Sequence, residues 1–320
     1  MNSSALLRQK RRNTWHSVLL LGAMLVLFLL LGRVLFGPGG GMLILALTLL
    51  LLVLMPGASA WMTLRLYRAR PIYPEQAPAL HELVAALAER AGLQEVPALF
   101  LVPSATPNAF AMRHQRRHLI AVTDGLLRLL DRRELAGVLA HEMSHIRHGD
   151  LQVMQLADLL TRLTATLADI GWFSLLLMLP LTLFGGVTVP WTALLLLMAA
   201  PVLSSLLQLA LSRTREFDAD LGAVELTGDP EGLASALLRI EQDHVPWWQW
   251  MLFPGRQRAA PSLLRTHPLV SERVQRLREL SHQRAPLLQR PLWLDDGFVS
   301  LDELPMIRAP RRWRGFGVWF

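Results

Sequence analysis

Cysteine is absent from this sequence of 320 residues. That excludes a disulfide framework and any thiolate metal site, so a metal ion can be held only by histidine and carboxylate. Charge is also scarce. Charged residues make up 18% of the chain and hydrophobic residues 52%, and the mean hydropathy of +0.33 is too apolar for an ordinary soluble domain. The scarcity is concentrated in one place. From Ile170 to Ser212 there are 43 positions without a charged residue, about twice the roughly 20 residues one membrane span needs. Residues 1–17 contain no acid, only Arg8, Lys10, Arg11 and Arg12 among charged residues. No glutamate lies between Glu142 and Glu216, and no internal repeat is visible. The net charge of +7 does not signal a nucleic-acid partner, because the arginines cluster beside apolar runs, where membrane topology already accounts for them.

Two apolar runs open the chain. Val18–Phe36 is broken only by Arg33, whose long stem can carry its charge to an interface. Met42–Leu64 is charge-free, with Pro56 as an expected kink. A basic segment before an apolar one is also the outline of a secretory signal peptide. Here the run is long, no small-x-small site follows it, and a second run comes at once, so an anchored hairpin is expected instead. Arg65, Arg68 and Arg70 follow the hairpin, and its tip, Gly37–Gly41, is uncharged. The positive-inside rule therefore predicts a cytoplasmic N-terminus and a cytoplasmic chain after residue 65. The charge-free run 170–212, turning near Gly185-Gly186 and Pro190, reads as spans of about 170–187 and 190–211; a single re-entrant hairpin is the alternative, because the first half is short.

The remainder reads as soluble. Pro78–Ala91 is predicted helical, with Leu80, Leu83, Val84 and Leu87 on one stripe. Ala98–Val102 and His118–Thr123 are predicted strands, joined by a loop over Pro103–Arg117 with a basic exposed tip. Asp131 and Glu134 have the spacing of a capping box and predict a helix start. Leu206–Thr227, Pro230–Asp243 and Leu269–Leu280 are expected helices. Trp247–Phe253 is too short to span and suits a membrane interface or a core plug. The Pro/Arg/Trp-rich tail from Arg284 is expected to have little fixed structure.

The helix predicted from Asp131 carries His141-Glu142-Met143-Ser144-His145. Histidines four apart stand one turn apart on one face, so both imidazoles can reach one ion. The glutamate between them is placed to touch water bound there. This is the H-E-x-x-H pattern of two zinc ligands and a general base. A catalytic zinc needs a third protein ligand. The extended pattern ending in a third histidine fails, because positions 148 and 151 hold His148 and Leu151. His148 suits a helix C-terminal cation better than a ligand. The remaining candidates are Glu216 and Asp220, four apart and so on one helix face. One carboxylate can bind the ion and the other can accept the N–H of a ligand histidine; an ordinary solvated helix start is the plain alternative. An even number of membrane crossings separates Glu216 from the histidines, which puts them on one side of the bilayer.

Four ordered segments resemble the HtpX-type membrane zinc metalloproteases, relatives of the CAAX prenyl proteases. They are Pro107-Asn108-Ala109-Phe110-Ala111, His141–His145, Ser212–Asp220, and Arg265-Thr266-His267-Pro268 followed by Arg273. The resemblance covers most of residues 15–282. It implies one zinc held by His141, His145 and Glu216, with Glu142 as catalytic base. It further implies that Asp220 steadies a ligand histidine, that His267 stabilises the oxyanion, and that Asn108, Ala109 and Phe110 lie along the substrate. Arg265 stands where relatives commonly have serine, and Met112-Arg113 where they have a glycine or small polar residue. The expected fold is mainly α, a multi-span membrane protein whose zincin-like domain adds a small β-sheet. Its expected divisions are a membrane hairpin over 1–70, a first catalytic part over 71–169, a second hairpin over 170–212, a second catalytic part over 213–283 and the tail 284–320. The expected function is zinc endopeptidase action on membrane or misfolded proteins at the cytoplasmic face of a bacterial inner membrane, in quality control and stress response. Its partners would be those substrates and the lipid bilayer. The alternatives are a CAAX prenyl-type protease and, in another class, a non-catalytic membrane scaffold with a structural metal site.

Overall fold

The computed structural model describes residues 3–54, 58–114, 117–185, 191–242 and 270–282. The Trp-rich segment 247–253, Arg265, His267 and the tail 284–320 lie outside the described residues. The helices are α1 (Ser3–Phe36), α2 (Gly40–Leu54), α3 (Ala58–Leu66), α4 (Pro78–Arg90), α5 (Asp124–Leu129), α6 (Arg132–His148), α7 (Asp150–Phe184), α8 (Trp191–Thr227), α9 (Pro230–Gln242) and α10 (Val270–His282). The strands are β1 (Arg70–Pro71), β2 (Ala98–Val102), β3 (Ala109–His114) and β4 (Arg117–Thr123). The chain divides into two compact units, and the division falls inside α8, between Asp218 and Ala219.

The first unit gathers α1, α2, α7 and α8 as far as Asp218. Among the described residues three helices are long and apolar enough to cross a membrane: Asn13–Phe36, Asp150–Pro180 and Thr192–Thr227. Gly37 (φ 78°) turns α1 into α2. The two helices can meet closely because a Cβ on Gly40 would stand 2.1 Å from the Gly32 carbonyl. One core cluster joins Met24 and Phe28 of α1, Ile44 of α2, Ala157 and Leu160 of α7, and Leu211 of α8. A second joins Leu27 and Leu31, Ala168, and Leu197 and Ala200. At the basic end of α1, Asn13 donates to Asp218 at 2.6 Å. In the same unit Arg215 pairs with the buried Asp150 at 3.2 Å.

In the run Met42–Leu64 the described residues belong to α2 and α3, and the expected kink at Pro56 lies outside the described residues. One expectation changes. The second long hairpin starts at Asp150 rather than near residue 170. Its first helix is therefore 35 residues, about 52 Å at 1.5 Å per residue, ample for a bilayer core. The charge-free criterion missed its lower half because Asp158, Arg162 and Asp169 are on it.

The second unit holds α3 to α6, the sheet, α8 from Ala219, α9 and α10. Strand order is β1-β2-β4-β3; β2 and β4 are parallel and the outer pairs antiparallel. The stripe Leu80, Leu83, Val84 and Leu87 of α4 is buried as its spacing requires. The expected loop over Pro103–Arg117 contains a third long strand, β3, at the sheet edge. Small alanines on both sides of Phe110 conceal its period-two signal. Phe110 nonetheless packs on Val102 and Ala121, and its ring lies 6.1 Å from that of Tyr67.

Candidate metal centre

The centre is built around α6. Its start is closed reciprocally: the Glu134 N–H donates to Asp131 Oδ1 at 2.9 Å, and the Asp131 N–H donates to Glu134 Oε2 at 3.0 Å. Glu134 also accepts from Ser235 at 2.5 Å and from Arg239 at 2.7 Å, both on α9. Burial pushes the Glu134 carboxyl up, but these donors outweigh it and hold the group below its usual range. Arg133 forks onto Asp229 beside them. Gly137 lets α9 come close, since a Cβ there would meet the Leu233 backbone at 2.9 Å. These contacts fix α6 on several sides, which positions its last two turns.

Those turns carry His141 and His145. Their Nε2 atoms lie 3.2 Å apart, and the rings meet edge to face at 4.7 Å between centroids. His141 Nδ1 is 3.0 Å from Asp220 Oδ1 on α8. A carboxylate there selects the Nδ1–H tautomer and leaves the Nε2 lone pair free to bind a metal. Asp220 is gripped in turn by Arg273 of α10, with Nε to Oδ2 at 2.8 Å and a terminal NH2 to Oδ1 at 2.6 Å. His141, Asp220 and Arg273 are all buried. Gly222, also on α8, gives α6 room, because a Cβ there would sit 2.0 Å from Ser144 Oγ.

Glu216 stands one turn before Asp220 on the same unbroken helix. His141, His145 and Glu216 form a group whose ligand atoms all lie within 4.8 Å of one another. Two nitrogens and a carboxylate oxygen suit a tetrahedral zinc: donors 2.0–2.1 Å from one ion stand roughly 3.4 Å apart, close to the spacing of the two Nε2 atoms. His148, the last residue of α6, touches Ser144 Oγ at 3.2 Å and is not part of the group.

Glu142 points to the sheet. Its Oε2 accepts the Ala111 N–H at 2.8 Å, so this amide faces away from β4 and the edge of β3 abuts the motif. Asn108 is buried at the start of β3. Its N–H donates to Thr123 Oγ1 at 2.8 Å, and its carbonyl accepts from the Thr123 N–H at 3.0 Å. Ala109 and Phe110 follow on the strand. The sequence reading thus named His141, Glu142, His145, Glu216 and Asp220, which stand as described, and His267, which lies outside the described residues. It did not foresee the Ala111 amide on Glu142, nor the Arg273 fork on Asp220. In the sequence Arg273 stands only as the end of a motif. A backbone donor leaves no mark in a sequence at all.

The model of peptidase family M48 matches residues 74–281. A "Protease HtpX homolog" of Sulfurihydrogenibium sp. is 34% identical over 298 residues, covering 86% of this chain and 98% of that protein. Another, of Salinibacter ruber, is 36% identical and covers 84% and 98%. The crystal structure of S. mikatae Ste24p shares the fold, with a TM-score of 0.50 at 20% identity, over 85% of this chain and 67% of that one.

Proposed function

The chain belongs to peptidase family M48 and is a membrane metalloprotease of the HtpX type, and from that premise we propose that His141, His145 and Glu216 hold one zinc ion and that Glu142 is the base for peptide-bond hydrolysis. The observation that carries this reading is the His-His-Glu group with ligand atoms within 4.8 Å. Zinc, when bound, supplies a Lewis acid for the scissile carbonyl and brings the pKa of water toward about 7.

The remaining work belongs to side chains and backbone. Glu142 takes the proton of the attacking water and passes it to the leaving nitrogen. Asp220, clamped by Arg273, keeps the His141 ring turned toward the ion. His267, on the strength of the resemblance, steadies the oxyanion. The substrate lies extended along β3 near Asn108, Ala109 and Phe110, pairing with backbone groups that face away from β4. We assign the site to the cytoplasmic face of the bacterial inner membrane, because Arg65, Arg68, Arg70, Arg213 and Arg215 flank the apolar runs on the side that the positive-inside rule makes cytoplasmic. The substrates are membrane proteins or unfolded segments near the bilayer, and the role is quality control.

Purified wild type and Glu142→Gln should each bind one zinc. The variant should cleave casein about 100-fold slower or worse, within the usual range for loss of a general base. If both bind zinc and cleave equally, Glu142 is not the base. If neither binds zinc, the ligand set is wrong.

A further inference from the structure

The first unit has a surface that neither the metal centre nor a lipid contact explains. Gln152, Gln155, Asp158, Arg162, Thr166 and Asp169 recur every three or four residues and form one polar stripe on α7. Gln152, Gln155, Arg162, Thr166 and Asp169 are exposed, with Arg162 at 69% and Asp158 at 43%. Asp158 and Arg162 pair along the helix at 2.8 Å. Asp169 has no partner among the described residues.

The depth of this stripe follows from the packing of its neighbours. Ala157 and Leu160 of α7 share a cluster with Met24 and Phe28 of α1 and Leu211 of α8. Ala168 shares one with Leu27, Leu31 and Leu197. A Cβ on Gly171 would press on both Leu197 and Leu35. The charges at 158, 162 and 169 are therefore level with the apolar run of α1. The outer faces of the flanking helices at these levels are exposed and apolar: Val26, Leu30 and Val34 on α1, and Met198, Leu203 and Leu206 on α8. Ionisable side chains at such depth are expensive against lipid. They normally face a polar partner or a water-filled path.

We propose that this face of α7 docks the transmembrane segment of a membrane-protein substrate that carries a basic side chain at the depth of Asp169. The inference rests on the membrane-protein substrate class proposed above. Charge selects the occupant. Two aspartates and one arginine leave the stripe one negative charge in excess, centred on the unpaired Asp169. A second copy is a poor fit, since copies with the same membrane orientation related by a two-fold axis bring Asp169 to Asp169. A purely apolar segment leaves all three charges against hydrocarbon. A segment with a lysine or arginine compensates them. Chain continuity agrees: α7 follows the motif helix after the single residue Gly149, so the foot of the stripe, Gln152, is seven residues from His145 in the chain. Membrane segments with a bare basic residue belong to unassembled or misassembled subunits, which gives the protease a physical criterion for choosing them.

The test uses the zinc-loaded full chain in liposomes with two single-span reporters sharing one cleavage sequence outside the bilayer. One span is Leu/Ala only; the other has a lysine at the depth of Asp169. Wild type should cleave the lysine reporter about tenfold faster. Asp169→Asn should bring the ratio near one and leave casein cleavage unchanged. A photo-crosslinker at position 166 should capture the lysine reporter. Equal cleavage by wild type, a preference that survives Asp169→Asn, or crosslinking mainly to a second copy of the chain overturns the inference. Cleavage of casein but of neither reporter instead overturns the membrane-substrate reading beneath it.

Discussion

Single residues in the centre divide into those that offer a lone pair and those that aim it. Arg273 belongs to the second kind: it holds Asp220 with two hydrogen bonds and stands 3.4 Å from His141 Nδ1. Replacing it by alanine should weaken zinc binding by about 10–100-fold, the usual cost of losing an outer partner of a ligand. Lysine should recover only part of this, because one ammonium cannot reproduce the two-pronged grip. Competition with a zinc chelator measures both. Spacing brought out the candidates with lone pairs, histidines at i and i+4 and carboxylates at i and i+4 with no glutamate between Glu142 and Glu216, while the choice of Glu216 over Asp220 came with the family resemblance. The aiming residues were far less legible. Asp220 is a candidate through its spacing from Glu216, but its partner lies 53 positions away and no local pattern links them.

Elements were legible wherever one periodicity ruled. The α4 stripe, the capping box of α6, β2 and the long run of α8 to Thr227 all follow from spacing. Reading failed where two signals overlapped. β3 is an edge strand whose Ala109 and Ala111 leave one face without a bulky apolar residue, and α7 carries membrane-depth charges that disguise a span as a soluble helix. Close contacts between elements give two further expectations. Gly222→Ala should destabilise the second unit by about 1–3 kcal/mol through the clash with Ser144, and adding Ser144→Ala should restore part of it, as thermal unfolding of the double variant would show. The α6–α9 junction should be acid-sensitive. The folded Glu134 carboxyl is held below its ordinary value, so its contribution is present above the unfolded pKa of about 4.3 and is lost as pH falls through the lower folded value. Glu134→Gln should lower stability at neutral pH and flatten this acid-side decline, measured by denaturant midpoints across the range.

For the whole molecule, topology is the property that arginine placement governs. A reporter fused at residue 185 should be accessible only from the side opposite the N-terminus; accessibility from the cytoplasm would exclude two full spans. The order in which the chain is made then acquires meaning. Both histidines and the proposed base leave the ribosome on α6, but Glu216 follows only after the long hairpin of α7 and α8. On the proposed ligand set, a nascent chain that has not inserted this hairpin is chemically inert. On that same ligand set, insertion of the hairpin is the activating event. Chains arrested before residue 216 should not retain zinc, whereas full-length inserted chains should.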